Sequence, residues 1–327
     1  MRCKAGLILA AWLLLFAHRG HPQEKIRVGH GSVSMQSGLV SIAKQKGLFA
    51  KYGLVPEIIY IPGGSTNIQA LISGNLDITQ LSGAPGAAAN LEGADIVYIL
   101  GLLDKLNYQL VTRPEIKSVE QLKGKKLGIS RFGSSADFGL RAILKRLGLD
   151  PAKDVAILQI GDEPARSAAL KAGNIDGTVM NAPFGLEAEK QKLNVLADSL
   201  KMGIPFFNTG LLGSRRYLEQ QEGKVLNFLR AYLEAIKILK TDKEYSLKAL
   251  SQFTRVKDLK IVEEGYEYIK DQIPPVPYPS LEAMQAVVAQ LAESSPKARQ
   301  ADARAYVSDR YLRQLENEGF VKKLWGK

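Results

Sequence analysis

Cysteine is almost missing from this sequence of 327 residues: the one present, Cys3, lies ahead of an apolar run at 7–16. No disulfide can form within the chain, and beyond residue 22 there is no thiolate to act as nucleophile or metal ligand. Histidine is nearly as scarce. His18, His21 and His30 make neither a cluster at metal-ligand spacing nor a pair for acid–base work. No stretch reaches 18 uninterrupted apolar residues, so none reads as a bilayer span. Lys and Arg outnumber Asp and Glu by 44 to 33, for a formal net charge of +11, yet the two signs are interspersed. With no basic run and no aromatics interleaved among cations, nothing supports nucleic-acid binding.

What is present begins at the N-terminus. Arg2 and Lys4 precede the apolar run 7–16, and a polar stretch follows at 18–22. This is the layout of a secretory signal peptide, assigned to residues 1–22. Cleavage is expected after Ala17 or Gly20, neither of which follows a clean small-x-small pattern; the other reading is an apolar helix that stays attached. A lipid anchor would need a cysteine after the apolar run, and Cys3 comes before it. Removing 1–22 takes away Arg2, Lys4 and Arg19 and no acidic residue, leaving a mature charge of about +8. That excess either attracts anions or is a generic solvated surface. The remaining length exceeds what one hydrophobic core usually holds, so two domains are expected.

The pattern along the chain is strand, short polar loop, short helix, strand, which is the grammar of βαβ units and a parallel sheet. Strands are expected at 26–29, 55–61, 76–81, 126–130 and 155–160. Amphipathic helices carry Leu39, Ile42 and Ala43, then Ile68, Leu71 and Ile72 with Ser65 or Thr66 as cap, then Leu140, Ile143, Leu144 and Leu147 in a helix spanning 138–147. From Arg215 onward the chain reads as helical. The stripes Leu226, Leu229, Leu233, Ile236 and Leu281, Met284, Val287, Val288, Leu291 read as packing surfaces. The grammar is also repeated: ALISGNLDIT at 70–79 matches ALKAGNIDGT at 169–178, and each copy runs on to an Ala-Pro pair, Ala84-Pro85 and Ala182-Pro183. Two lobes of similar build follow. Asp77 and Asp176 are expected to be structural turn residues.

These segments carry a resemblance. GLFAKYGL at 47–54, the run 70–77, LKGKKLG at 122–128 and the block 169–183 resemble the nitrate, sulfonate and taurine group of ABC-importer binding proteins, which also includes binders of thiamine-pyrimidine precursors. The resemblance covers roughly 25–240. It implies an α/β type II periplasmic binding-protein fold with two mainly parallel sheets flanked by helices and a helical C-terminal segment. Lobe one is expected from 25–107 plus 213–327, lobe two from 113–207, and a two-crossing hinge near 107–113 and 208–213. It also implies a periplasmic monomer with a small-molecule ligand, an inner-membrane permease as partner, no cofactor and no catalysis.

Binding a small polar group in a cleft requires convergent donors, and loops at helix N-termini supply them. Four loops fit: Ser32-Val33-Ser34, Gly64-Ser65-Thr66, Ser82-Gly83-Ala84 and Gly133-Ser134-Ser135. Ligands of open α/β sheets sit beyond the carboxyl ends of the strands, where all four emerge. Arg131 is expected to pair with an acidic group or remain a surface charge, and Asn181 and Phe184 to shape the pocket. Two other functions share the fold. Enzymes related to thiamine-pyrimidine synthases use a cysteine-rich motif, a reactive histidine and a lysine-bound cofactor, none identifiable here; an exported ligand-sensing module is the third reading. The expected ligand is a small organic molecule with one acidic or strongly polar end and a planar body.

Overall fold

The computed structural model describes residues 23–293 and 295–326; the expected signal peptide at 1–22 lies outside the described residues. The strands form two five-stranded sheets. One has the order β2 (Leu54–Tyr60), β1 (Glu24–His30), β3 (Ile78–Leu81), β10 (Pro205–Ser214), β4 (Ile96–Lys105). The other has the order β7 (Ala156–Gln159), β6 (Lys126–Ile129), β8 (Gly177–Met180), β5 (Gln109–Thr112), β9 (Asn194–Asp198). In each, three strands run parallel and the fourth is antiparallel to both neighbours. The reversed strand is contributed across the lobes: β5 enters the second sheet directly after β4, and β10 returns to the first after β9. The stretches 107–113 and 208–213 therefore contain β5 and part of β10. Asn107 and Asn208, on the two crossings, are buried, and Asn208 Nδ2 donates to Asn107 Oδ1 at 2.5 Å.

Helices cover the sheets. In the first lobe these are α1 (Leu39–Gln45), α2 (Leu48–Lys51), α3 (Gly64–Ile72) and α4 (Gly83–Leu91); in the second, α5 (Ser135–Arg146), α6 (Glu163–Lys171) and α7 (Phe184–Lys190). The C-terminal part adds α8 (Arg215–Gln220), α9 (Glu222–Thr241), α10 (Lys243–Thr254), α11 (Leu259–Lys270), α12 (Leu281–Ala292), α13 (Arg310–Asn317) and α14 (Phe320–Trp325). The stripe Leu226, Leu229, Leu233 and Ile236 is buried in α9 against α1 and α2, and Met284, Val287, Val288 and Leu291 of α12 are buried on the opposite side of the first sheet. That second core continues through Leu106 and Tyr108 to Leu127 and Leu140, so apolar packing is continuous between the lobes. Among the described residues no helix is long and apolar enough to cross a membrane.

The internal repeat has a physical basis. Gly74 (φ 73°) and Gly173 (φ 76°) end α3 and α6 in the left-handed region, which glycine enters without a Cβ penalty. Three residues later the aspartate holds the neighbouring strand. Asp77 N–H donates to Arg27 O at 2.9 Å and its Oδ2 accepts from Arg27 N at 2.7 Å. Asp176 makes the same pair with Lys126, at 2.7 and 2.8 Å. Because the side chain takes the place of a ladder rung, β3 starts at Ile78 and not at Leu76. Two other boundaries differ from expectation. Gly63 (φ 86°), not Ser65 or Thr66, precedes the first residue of α3, and no side chain caps it. The helix expected from Phe138 starts at Ser135, because Ser134 Oγ accepts from Asp137 N and closes an additional turn.

Candidate ligand-binding site between the lobes

Residues just past the carboxyl ends of β1, β3, β6 and β8 meet around a cavity of about 50 Å³. Since one water needs about 10–15 Å³ on this measure, the space suits a few non-hydrogen atoms. Of the expected residues, Ser32, Gly64, Ser82, Ser134, Ser135 and Asn181 line it. Ser34 stands one step behind, fully buried, and is bonded to Ser32 Oγ at 3.0 Å and Ser37 Oγ at 3.1 Å.

The others are placed elsewhere, for identifiable reasons. Ser65 and Thr66 lie inside the first turn of α3, off the lining. Gly83 and Ala84 turn into the core at the start of α4, where a Cβ on Gly83 would meet Phe207 at 2.8 Å. Gly133 (φ 72°) makes a turn whose N–H is taken by Asp137 Oδ2 at 2.9 Å. Arg131 is exposed, its aliphatic stem lying across Gly63 of the other lobe. Val33 and Phe184 line a second, larger cavity of about 890 Å³, which shares Tyr60 and Asp162 with the first.

Several lining groups were not singled out from the sequence: Gln36, Ser37, Tyr60, Gly63, Gln80, Tyr108, Asp162, Glu163, Arg166, Asn208 and Thr209. Their arrangement gives the site its character. Arg166, 2% exposed, donates from Nε to Thr178 Oγ1 (3.0 Å), from Nη1 to Gly161 O (2.7 Å) and from Nη2 to Val179 O (3.1 Å). Glu163, 4% exposed, accepts from Asn181 N at 2.8 Å through Oε1. Burial pushes its carboxyl above the usual range, opposed by the Arg166 charge and the Asn181 N–H. A detectable signal existed: Glu163, Arg166 and Leu170 are the buried residues of α6, so the two charges occupy the core-facing stripe of the helix.

Besides the backbone bond from Met35 N to Ala182 O at 3.2 Å, two side-chain hydrogen bonds join the lobes at the cavity. Ser82 Oγ and Ser135 Oγ are 2.7 Å apart, and Tyr60 donates to Asp162 Oδ2 at 2.9 Å. His30 stacks on Tyr60, with ring centroids 5.0 Å apart, and faces Phe253 at 5.3 Å. Burial lowers the His30 pKa, against the Ser32 carbonyl, which lies 2.8 Å from Nδ1 and holds the proton there. Within the cavity wall, Gln36 Oε1 and Asn181 Oδ1 are buried acceptors without a donor. Among the described residues no group of three or more His, Cys, Asp or Glu could hold a metal ion.

Residues 35–244 match the family model described as NMT1/THI5 like. The chain belongs to the NMT1/THI5-like family. A relative of this NMT1/THI5-like chain, the putative aliphatic sulfonates-binding protein of Escherichia coli (strain K12), is 29% identical over 256 residues, covering 76% of each chain. Among solved structures, a protein of Bordetella bronchiseptica RB50 aligns with TM-score 0.81 at 18% identity, over 94% of this chain and 99% of that one. The alkanesulfonate-binding protein SsuA from Xanthomonas axonopodis pv. citri, bound to MOPS, aligns with TM-score 0.71 at 22% identity, over 87% and 98%. The fold is the two-lobed α/β fold of periplasmic binding proteins.

Proposed function

We propose that the protein captures a small polar organic solute between its lobes, outside the cytoplasm, and hands it as a monomer to the permease of an ABC importer. The observation that carries this reading is the cavity, lined from both sheets and closed by the Ser82–Ser135 and Tyr60–Asp162 bonds. A solute can enter so enclosed a space only if the lobes part, and 25–107 with 213–327 moving against 113–207 about the two crossings provides that motion. The buried Asn107–Asn208 bond keeps the crossings in step. The polar end of the solute occupies the inner cavity. Its body extends past Tyr60 into the larger one, where the His30, Tyr60 and Phe253 rings offer faces to a planar group. The Ser32 and Ser134 hydroxyls are bonded to other serines, and His30 Nδ1, at the larger cavity, is engaged by a carbonyl.

A thermal-shift screen of the mature protein tests this, using sulfonates, nitrate, taurine, thiamine precursors and aromatic acids. A ligand at a hundred times its Kd adds roughly 2.7 kcal/mol of apparent stability, a clear rise in Tm. Recovery of the hit unchanged is the expected result, and chemical conversion would overturn the reading.

A further inference from the structure

We infer that the lobes part by swinging α7 away from α11, and that Lys190 is the positioning residue that latches this flank shut. The inference rests on the lobe motion of the reading above and adds its direction and its control. Lobe one reaches lobe two through two of its C-terminal helices, and the two contacts differ in kind. On one face of the second sheet α12 meets α5: Gln290 Nε2 donates to Phe138 O at 2.9 Å, and Lys145 pairs with Glu293. Beneath them Val287 and Leu291 share one apolar core with Leu106, Tyr108 and Leu140, unbroken from lobe to lobe. Parting this flank would bring that core into water, so it serves as the pivot.

The other flank is held mainly by polar contacts. On the opposite face of the second sheet, α7 packs on Val111 and Met180, while α11 belongs to the first-lobe core, which Ala182 and Leu186 reach from lobe two. At Gly265 the helix comes so close that a Cβ would meet Met35 Cε of lobe one at 2.7 Å and Ala182 Cβ of lobe two at 3.6 Å. Beyond that point Lys190 Nζ stands 3.7 Å from Asp258 Oδ2 and 3.5 Å from Glu264 Oε1, and the Tyr268 hydroxyl donates to Asp198 Oδ1 at 3.3 Å. The lysine and both its carboxylates are partly exposed, so water takes over their contacts when they separate. The larger cavity lies on this flank, between Phe184 and Glu187 of α7 and Asp258 and Ile261 at the start of α11. Parting α7 from α11 therefore widens the way in. Two exposed ion pairs on one lysine bias the closed-to-open ratio by about threefold.

The test is pulsed electron spin resonance on the unliganded mature protein, which beyond residue 22 has no cysteine, so spin labels attach only where one is introduced. One labelled pair, Gln191→Cys with Lys248→Cys, spans the α7–α11 flank; the other, Arg146→Cys with Glu282→Cys, spans the α5–α12 flank, and all four sites are exposed. Raising NaCl from about 0.1 M to about 1 M cuts the Debye length from about 10 Å to about 3 Å. The first pair is expected to gain a longer spacing whose share rises about threefold, while the second keeps one spacing. Lys190→Glu is expected to give the same gain at low salt, Lys190→Arg to behave as the wild type, and Lys190→Glu combined with Asp258→Lys and Glu264→Lys to restore the shorter spacing. A first-pair spacing that neither salt nor Lys190→Glu moves, or an equal gain in the second pair, overturns the inference. The salt series leaves the contact residues unchanged, so it decides even if a Lys190 variant fails to fold. The two readings fail separately. A spacing indifferent to salt sinks the latch and leaves solute capture to the thermal-shift screen, whereas a screen hit that is chemically converted sinks solute capture and leaves the salt series as measured.

Discussion

Replacing Asp77 by Ala tests the claim that the repeated aspartates belong to the scaffold and not to the binding site. The Asp77 carboxylate accepts three hydrogen bonds, from Arg27 N at 2.7 Å, Nε at 3.2 Å and Nη2 at 2.6 Å, with the aspartate side chain 11% and the arginine side chain 39% exposed. The backbone bond to a charged acceptor is worth about 1.5–3 kcal/mol. The guanidinium pair, screened on the arginine side, adds about 0.5 kcal/mol. Asp77→Ala should therefore cost about 2–3 kcal/mol. Asp176→Ala removes one such bond at a more exposed site, and its Arg113 partner stands 3.6 Å away, so about 1–1.5 kcal/mol is expected. Urea denaturation measures both, read as a fall in the midpoint at unchanged slope. Affinity for the solute should stay within about twofold in each variant, since neither residue lines the cavity. A cost below about 0.5 kcal/mol for Asp77→Ala, or a larger cost for Asp176→Ala, would refute the reasoning.

Three more outcomes are expected. Tyr60→Phe removes a bond between the lobes whose donor residue is 36% exposed, so about 1 kcal/mol is lost and calorimetric Kd for the screen's hit rises about fivefold; an unchanged Kd contradicts the closing role. Glu163→Gln tests the buried carboxyl. Its folded pKa is raised above the ordinary 4.5, so the folded state binds the proton more tightly than the unfolded chain does. The stabilisation this gives is complete below 4.5 and is lost as pH rises through the raised value. Relative to the wild type, the variant should gain Tm from acid toward neutral pH, and a constant difference would show that the carboxyl does not titrate in the fold. Arg131→Ala should leave affinity within about twofold while Ser134→Ala weakens it, because Ser134 lines the cavity and Arg131 does not; a larger loss in Arg131→Ala reverses that placement.

Much of the architecture was legible because local chemistry and topology agree. Gly74 and Gly173 mark helix ends, Asp77 and Asp176 mark strand starts, and the repeat they form announces two similar sheets. The serine loops after β1, β3 and β6 were legible for the same reason: small polar residues between a strand end and a helix start have few other places to go. Arg131 and Gly133 were drawn in by their position on such a loop, yet the loop turns them outward, a matter of φ at Gly133 and of the packing over Gly63. Asp162, Glu163 and Arg166 line the cavity without having been singled out. Read along the chain they are a helix start with an acidic first turn, and only the sheet beneath α6 shows that Glu163 and Arg166 face inward. Tyr60, Gln80, Tyr108 and Asn208 arrive from strands and crossings distant in sequence. Their convergence depends on the docking of the two lobes, which no local pattern encodes.

The central claim is that the lobes close over a solute. Small-angle X-ray scattering of the mature protein, with and without a saturating ligand from the screen, tests it most directly. Closure predicts a smaller radius of gyration with ligand, and the change should shrink in Tyr60→Phe. An unchanged scattering profile at an occupancy established by calorimetry would contradict the account.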